Sequence, residues 1–349
     1  MHICGITINR RGFCALSVFS PREDTLKISH WSLKNGSGMH RVATEISEAE
    51  VKLGHESQVI DSFKQEEWDL GKNSDIHVSH SHIPDPIRKD DKGKWVWCGH
   101  GTPEHCFRVT AEEAATHRYG HSDCMMLIQW WLQNADAIVT FWPRHAEIWS
   151  SMCDKHTMVD CIPLGVDKTV WEPGHSAGKY VGVPSVFYAE NCHDIKWPLD
   201  LVIMWGWVWQ EIMDAQLHIV YLPTDQHRFW FPLINRNGAG FKSYVSNTIF
   251  GRDDLRNAFS SVDFVASFVR YGDFNRLSLE AKSCGAKLIS WAGNPYADHW
   301  LLEGDQRIQK EQLVKILKGE VTPRETDIIP DIMQTAEAMV EVYNRVLNE

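Results

Sequence analysis

The chain has 349 residues, a net charge of −11, and 43% hydrophobic against 23% charged residues. That length exceeds one comfortable core and suits two domains, and no apolar run approaches the roughly 20 residues of a membrane helix. The acidic balance excludes a whole-molecule field that draws in nucleic acid or anionic lipid. A local basic cluster (Arg88, Lys89, Lys92, Lys94) is diluted by Asp90 and Asp91 into a solvated loop, with Arg108, Arg118 and Arg144 further along. Nine cysteines occur without a Cys-x-x-Cys pair, several of them (Cys98, Cys161, Cys284) inside or beside apolar stretches. Reduced thiols and a cytoplasmic protein are the expectation.

Arg10-Arg11 before residues 13–19 faintly resembles a twin-arginine export signal, but the apolar stretch is only about seven residues long. A β-hairpin over residues 3–19 fits better, its turn at Asn9-Arg10-Arg11-Gly12. Residues 26–31 form a short strand pattern that runs through Asn35-Gly36-Ser37-Gly38 into a helix ending near Leu53. Val42, Ile46, Ala49 and Leu53 recur there at helical spacing, and Gly54 closes the helix. A strand begins at 58–60. Further strands are expected at 76–79 and 95–98, each followed by a histidine-containing loop, and at 137–141 and 158–162. One helix covers 123–134.

The alternation restarts after a Gly- and Pro-rich seam near residues 165–184. Strands are expected at 185–189, 217–222, 244–249, 263–267 and 287–291, with helices at 199–212, 253–260 and 277–284. Two amphipathic helices, near 310–317 and 331–347, finish the chain. Strands alternating with helices imply parallel sheets covered on both faces. Two such series imply an α/β protein of two doubly wound domains, residues 1–170 and 171–330, with 331–349 packing back toward the first. Sixteen tryptophans, among them Trp130, Trp131, Trp205, Trp207 and Trp209, are read as core filling.

In open parallel sheets ligands bind beyond the carboxyl ends of the strands. Gly36-Ser37-Gly38 follows the first long strand and opens a helix, where glycines admit a phosphate and the helix start supplies amide donors; an ordinary tight turn reads equally well. His100, between Gly99 and Gly101 at a strand end, is poorly placed for core packing and suited to meeting a ligand. His77, His80 and His82 invite a metal reading, but alternate strand positions face opposite ways, and no metal is expected. Glu280 lies in the first turn of its helix, where a carboxylate accepts ribose hydroxyls or merely complements the dipole. Lys196, between a strand and a helix, can neutralise a diphosphate as a point charge or be a plain surface residue.

Together these segments resemble the retaining glycosyltransferases of the GT-B fold, family 4, over about residues 26–349. Gly54-His55-Glu56 matches that family's Gly-His-Glu, Ile162-Pro163-Leu164-Gly165-Val166-Asp167 resembles its Ile-Pro-Asn-Gly-Val-Asp, and 278–286 resembles its Leu-Glu-Ala-Met-Ala-x-Gly-x-Pro segment. The resemblance implies two facing Rossmann-like domains and a UDP- or GDP-sugar as co-substrate. It places His100 near the reacting sugar, Lys196 on the diphosphate and Glu280 on the ribose. Gly36 and Gly38 approach the phosphates, with the backbone around Arg276, Leu277 and Ser278. Asn191 stands where the family has an arginine. The first glutamate of its Glu-x7-Glu motif is here Gly272, with Asp273 and then Asn275 beside it.

The expected activity is therefore metal-independent transfer of a sugar to an acceptor hydroxyl with retained configuration. The acceptor is open among saccharides, small molecules and hydroxymethylated bases in DNA, and would lie against His80, His82, Arg108, Arg118 and Arg144. Gly272 and Asn191 also admit a catalytically silent nucleotide-sugar-binding or partner module.

Overall fold

A computed structural model describes residues 24–34, 38–80, 92–101, 121–153, 156–174, 184–188, 198–220, 243–246, 251–268, 276–302 and 304–348. The expected hairpin at 3–19 lies outside them. The first half forms strands β1 (Lys27–Ser32), β2 (Glu56–Asp61), β3 (Ile76–Ser79), β4 (Lys94–Gly99), β5 (Ala137–Thr140) and β6 (Met158–Cys161). Its helices are α1 (Gly38–Lys52), the single turn α2 (Trp68–Gly71), α3 (His121–Asn134) and α4 (Pro143–Met152). The second half forms β7 (Ser185–Tyr188), β8 (Gln216–Val220), β9 (Ser243–Ser246), β10 (Phe264–Ser267), β11 (Lys287–Trp291) and β12 (His299–Leu301). Helices α5 (Pro198–Glu211), α6 (Arg252–Ser260), α7 (Arg276–Ser283) and α8 (Gln306–Leu317) alternate with these strands, and α9 (Ile332–Asn348) ends the described chain.

Each half is one six-stranded sheet, ordered β2-β1-β3-β4-β5-β6 and β12-β11-β10-β7-β8-β9. Every pairing within them is parallel. Parallel pairing needs crossovers, and the intervening amphipathic segments supply them as helices. The inner strands are thereby covered on both faces, and β1, β3, β4, β5, β7, β10 and β11 read as near-continuous buried runs. Gly54 and Gly285 close α1 and α7 at φ of +96° and +98°, a conformation that favours glycine. Three elements escape the sequence reading, the first being the single turn α2. Helix α4 starts at Pro143, after Trp142 in extended conformation, and has only Trp149 and His145 buried, so its apolar face is too sparse to reveal it. Strand β12 is three residues long and pairs only at the sheet edge.

Side chains on the two faces of the first sheet go to different cores. Ile28, Val78, Val96 and Cys98 face α1 and α9. Trp31, Trp95 and Trp97 face the other way and pack with Trp131 and Trp149. Trp205 and Val208 bury in the core on the outer face of the second sheet. Trp207, expected inside, is 36% exposed. It sits on α5 between those two buried positions, and helical periodicity turns it outward.

The apolar core containing Ile28 continues through Val166 and Trp171 into Phe187 and Leu279 of the second half. Helix α9 belongs to this core: Ala336, Met339, Val342 and Tyr343 bury against the first half. The segment 163–167 docks on its start. Gly165 N–H donates to Thr335 Oγ1 at 2.7 Å, and Thr335 Oγ1 donates to the Pro163 carbonyl at 2.9 Å. Gly165 must lack a side chain, because a Cβ there would run into the Asp331 carbonyl.

Candidate functional site

Two polar clusters occupy the interior, one between the first sheet, α1 and α9, the other where the halves meet. The first follows from sheet order. Strands β1, β3 and β4 are neighbours, and His30, His80 and His100 sit on the first or just beyond the carboxyl ends of the other two. All three have the strand parity of Ile28, Val78 and Cys98, which places them on the α1–α9 face. Their rings form a file: His30 Nδ1 lies 2.9 Å from His80 Nε2, and His80 Nδ1 lies 2.9 Å from His100 Nε2. At the inner end His30 Nε2 lies 2.8 Å from Glu50 Oε2 on α1. The Tyr343 hydroxyl of α9 donates to Glu50 Oε1 at 2.9 Å, and the Ser57 hydroxyl of β2 to Oε2 at 2.6 Å. His30 and Glu50 are fully buried, His80 nearly so, while His100 is partly exposed. Burial, and then the neighbouring His100 and His30, hold His80 well below the ordinary imidazole range. Burial raises Tyr343 well above the ordinary phenol range, with Glu50 and Cys98 adding to it, so it stays a hydrogen-bond donor.

His80 was expected to line an acceptor surface. It is buried with both ring nitrogens engaged by histidines, and stands behind His100 instead. His77 faces the opposite side: its Nδ1 accepts from Trp31 Nε1 at 3.2 Å and its ring stacks on Trp95.

The second cluster joins the halves. Glu280, in the second turn of α7 and fully buried, accepts from Arg276 Nε at 2.8 Å and from Arg41 Nη2 of α1 at 2.6 Å, both on Oε1. Arg276 also pairs with Glu45 of α1. Arg41 lies over the ring of Trp171, 5.7 Å from its centroid. Burial raises the Glu280 carboxyl above its ordinary value, against the pull of Arg276 and Arg41. Arg276 is disfavoured by burial, but Glu280 and then Glu45 outweigh it and raise its pKa. Among the described residues, Glu280 Oε2 and Arg276 Nη1 are buried without a hydrogen-bond partner. One is an acceptor and the other a donor on a buried pair, an arrangement that costs about 1–3 kcal/mol per group when left unfilled.

Gly38 opens α1 one turn before Arg41, and among the described residues nothing lies within 4 Å of a Cβ built on it. Arg41, one turn after Gly38, thus ties the first half's α1 to Glu280, 239 positions away in the chain. Leu277 and Ser278 lie in the first turn of α7 beside Arg276. Arg144 is exposed on α4. Gly36, His82, Arg108, Arg118, Asn191, Lys196, Gly272, Asp273 and Asn275 lie outside the described residues. Sequence reasoning missed Arg41, Glu45, His30, Glu50 and Tyr343. Arg41 and Glu45 share one edge of α1 beside its apolar stripe and read as solvated; only a partner over 200 residues away makes them interior.

No family model matches the chain, and no curated protein matches its sequence. Solved structures do. Sucrose-phosphate synthase from Thermosynechococcus elongatus is similar over 92% of this chain and 96% of its own, at 14% identity and TM-score 0.68. Anabaena HepE, solved in complex with UDP-glucose, is similar over 93% and 98%, at 14% identity and TM-score 0.60. An alpha-glucosyltransferase solved with UDP and a 13-mer DNA containing a HMU base is similar over 93% and 100%, at 9% identity and TM-score 0.61. Likeness across both sheets at such low identity identifies an architecture: the chain has the GT-B fold of these glycosyltransferases, two Rossmann-like domains facing one another across a cleft.

Proposed function

We propose that the protein is a glycosyltransferase that binds a nucleoside-diphosphate sugar between its halves and transfers the sugar to an acceptor hydroxyl. The observation that carries this reading is the buried, unfilled pair Glu280 Oε2 and Arg276 Nη1, set one side chain away from the open start of α1. A ribose hydroxyl donates to the first and a phosphate oxygen accepts from the second. The α1 start supplies further amide donors to phosphate. Anabaena HepE and the alpha-glucosyltransferase, both solved with UDP or UDP-glucose on this fold, support a uridine donor.

As the bond from C1 to the diphosphate breaks, negative charge gathers on the leaving group. Arg276, Lys196 and the amides at the α7 start stabilise it, and preorganised charge of this kind lowers the barrier without a metal. Attack from the face the diphosphate leaves gives retained configuration. In this reading His100 serves the reacting sugar, and Arg108, Arg118 and Arg144 serve the acceptor. An acceptor within DNA is supported by the HMU-DNA complex on the same fold and requires an exposed base. Binding of such DNA that weakens steeply with salt distinguishes it from a saccharide acceptor.

The test is turnover of a panel of UDP- and GDP-sugars with a mixed acceptor library, products read by mass spectrometry. If no nucleotide sugar binds or is consumed, the reading fails. Binding without consumption supports a silent nucleotide-sugar module, which Gly272 in place of the family's first glutamate motivates.

A further inference from the structure

Arg276 and Glu280 stand four apart on α7, a spacing at which side chains on one helix face meet. Left to themselves, a guanidinium and a carboxylate match as two forks, two N–H groups to two oxygens. In the fork that uses Arg276 Nε, the second donor is Nη2. Here half of that fork is made. Arg276 Nε donates to Glu280 Oε1 at 2.8 Å, but Arg276 Nη2 is taken by Glu45 of α1. Glu280 Oε1 accepts a second bond, from Arg41 Nη2 of α1 at 2.6 Å. Among the described residues, Glu280 Oε2 and Arg276 Nη1 are left buried without partners. The first half thus interrupts the second half's pair twice, once by occupying its donor and once by anchoring its acceptor. We propose that Arg41 and Glu45 are positioning residues for ribose recognition, keeping Glu280 Oε2 open to the donor by stopping Arg276 from closing on both carboxylate oxygens.

The ribose rests on the nucleotide-sugar reading; the interrupted fork rests on the hydrogen bonds alone. Neither residue needs to touch the donor. Arg41 is held at Glu280 and over the Trp171 ring, and Glu45 is buried against Arg276. Withdrawal of α1 would release Arg276 Nη2 and Glu280 Oε1 together, and the fork would then close over the oxygen that the ribose uses. The second half recognises ribose while α1 of the first half lies on it.

The readout is the ratio of affinities for UDP and 2′-deoxy-UDP, measured by titration calorimetry on the full chain. A merely structural loss lowers the folded fraction and weakens both nucleotides alike, which leaves the ratio unmoved. Glu45→Ala frees Arg276 Nη2 to complete the fork and is expected to lower the wild-type ratio about 3- to 10-fold, the range of one hydrogen bond. Glu45→Gln keeps an oxygen for Nη2 and should hold the ratio near wild type. Arg41→Ala should lower it as Glu45→Ala does. In a Glu280→Gln background neither alanine change should alter the ratio further. A wild-type ratio in Glu45→Ala or in Arg41→Ala overturns the inference, and so does a ratio that still changes in the Glu280→Gln background. If the wild type binds UDP without preferring it to the deoxy analogue, the ribose assignment falls and the inference with it. If it binds no UDP at all, the nucleotide-sugar reading itself has failed.

Discussion

Replacing Glu280 by glutamine probes the junction between the halves with little change in volume. The Gln Oε1 atom still meets Arg276 Nε and Arg41 Nη2, at 2.8 and 2.6 Å in the native cluster, but as a neutral acceptor. The two arginines keep their charge and lose the carboxylate's, so two bonds worth about 1.5–3 kcal/mol each are weakened without being broken, a loss of about 2 kcal/mol together. The new NH2 group occupies the buried place of Oε2 and adds to the loss. A total of about 2–4 kcal/mol follows, below the roughly 3–5 kcal/mol of a buried pair broken outright. Urea unfolding of the ligand-free protein measures it.

The same substitution turns the ribose acceptor into a donor. UDP affinity, read by titration calorimetry, should fall about 10- to 100-fold, since 1.4 kcal/mol is a factor of ten. The control is 2′-deoxy-UDP. The wild type should prefer UDP over the deoxy analogue, and Glu280→Gln should bring the two affinities together. An unchanged preference in the variant would refute the assignment of this carboxylate to the ribose, whatever its effect on stability.

Burial pushes His218 of β8 down to about 4, from an unfolded value of 6.5. Its stabilising share is fully present above pH 6.5 and is lost as pH falls toward 4, a loss of about 3 kcal/mol at 1.36 kcal/mol per pH unit. His80, also lowered by burial, acts in the same direction. Urea midpoints between pH 7.5 and 4.5 should fall, and His218→Gln should flatten the slope; equal slopes would show that His218 is not the group responsible. Gly165→Ala places a methyl against the Asp331 backbone and should destabilise by about 1–3 kcal/mol, with hydrogen exchange accelerated first in α9. Lys196→Ala should weaken UDP binding and flatten its dependence on salt, and a salt dependence equal to the wild type would remove Lys196 from the diphosphate.

Much of the architecture was legible because it rests on local rules. Alternating apolar runs and amphipathic stretches, with Gly54 and Gly285 at helix ends, marked nearly every strand and helix within a residue or two. Elements without a strong period, α2, α4 and β12, left no trace. The alternation of β3 separated His77 from His80 before any fold was known.

What a linear sequence could not carry was partnership. Arg41 and Glu45 look like solvated helix residues, and Glu50 like one more acid on a charged face. They become interior only because the second half and α9 return to α1 from over 200 residues away. The histidine file likewise needs the order β1-β3-β4, which places residues 30, 80 and 100 side by side. Patterns along the chain decide which segments are strands and helices, since those depend on neighbours a few residues apart. Which charges face one another depends on how the segments close together in space, and only the tertiary structure decided that.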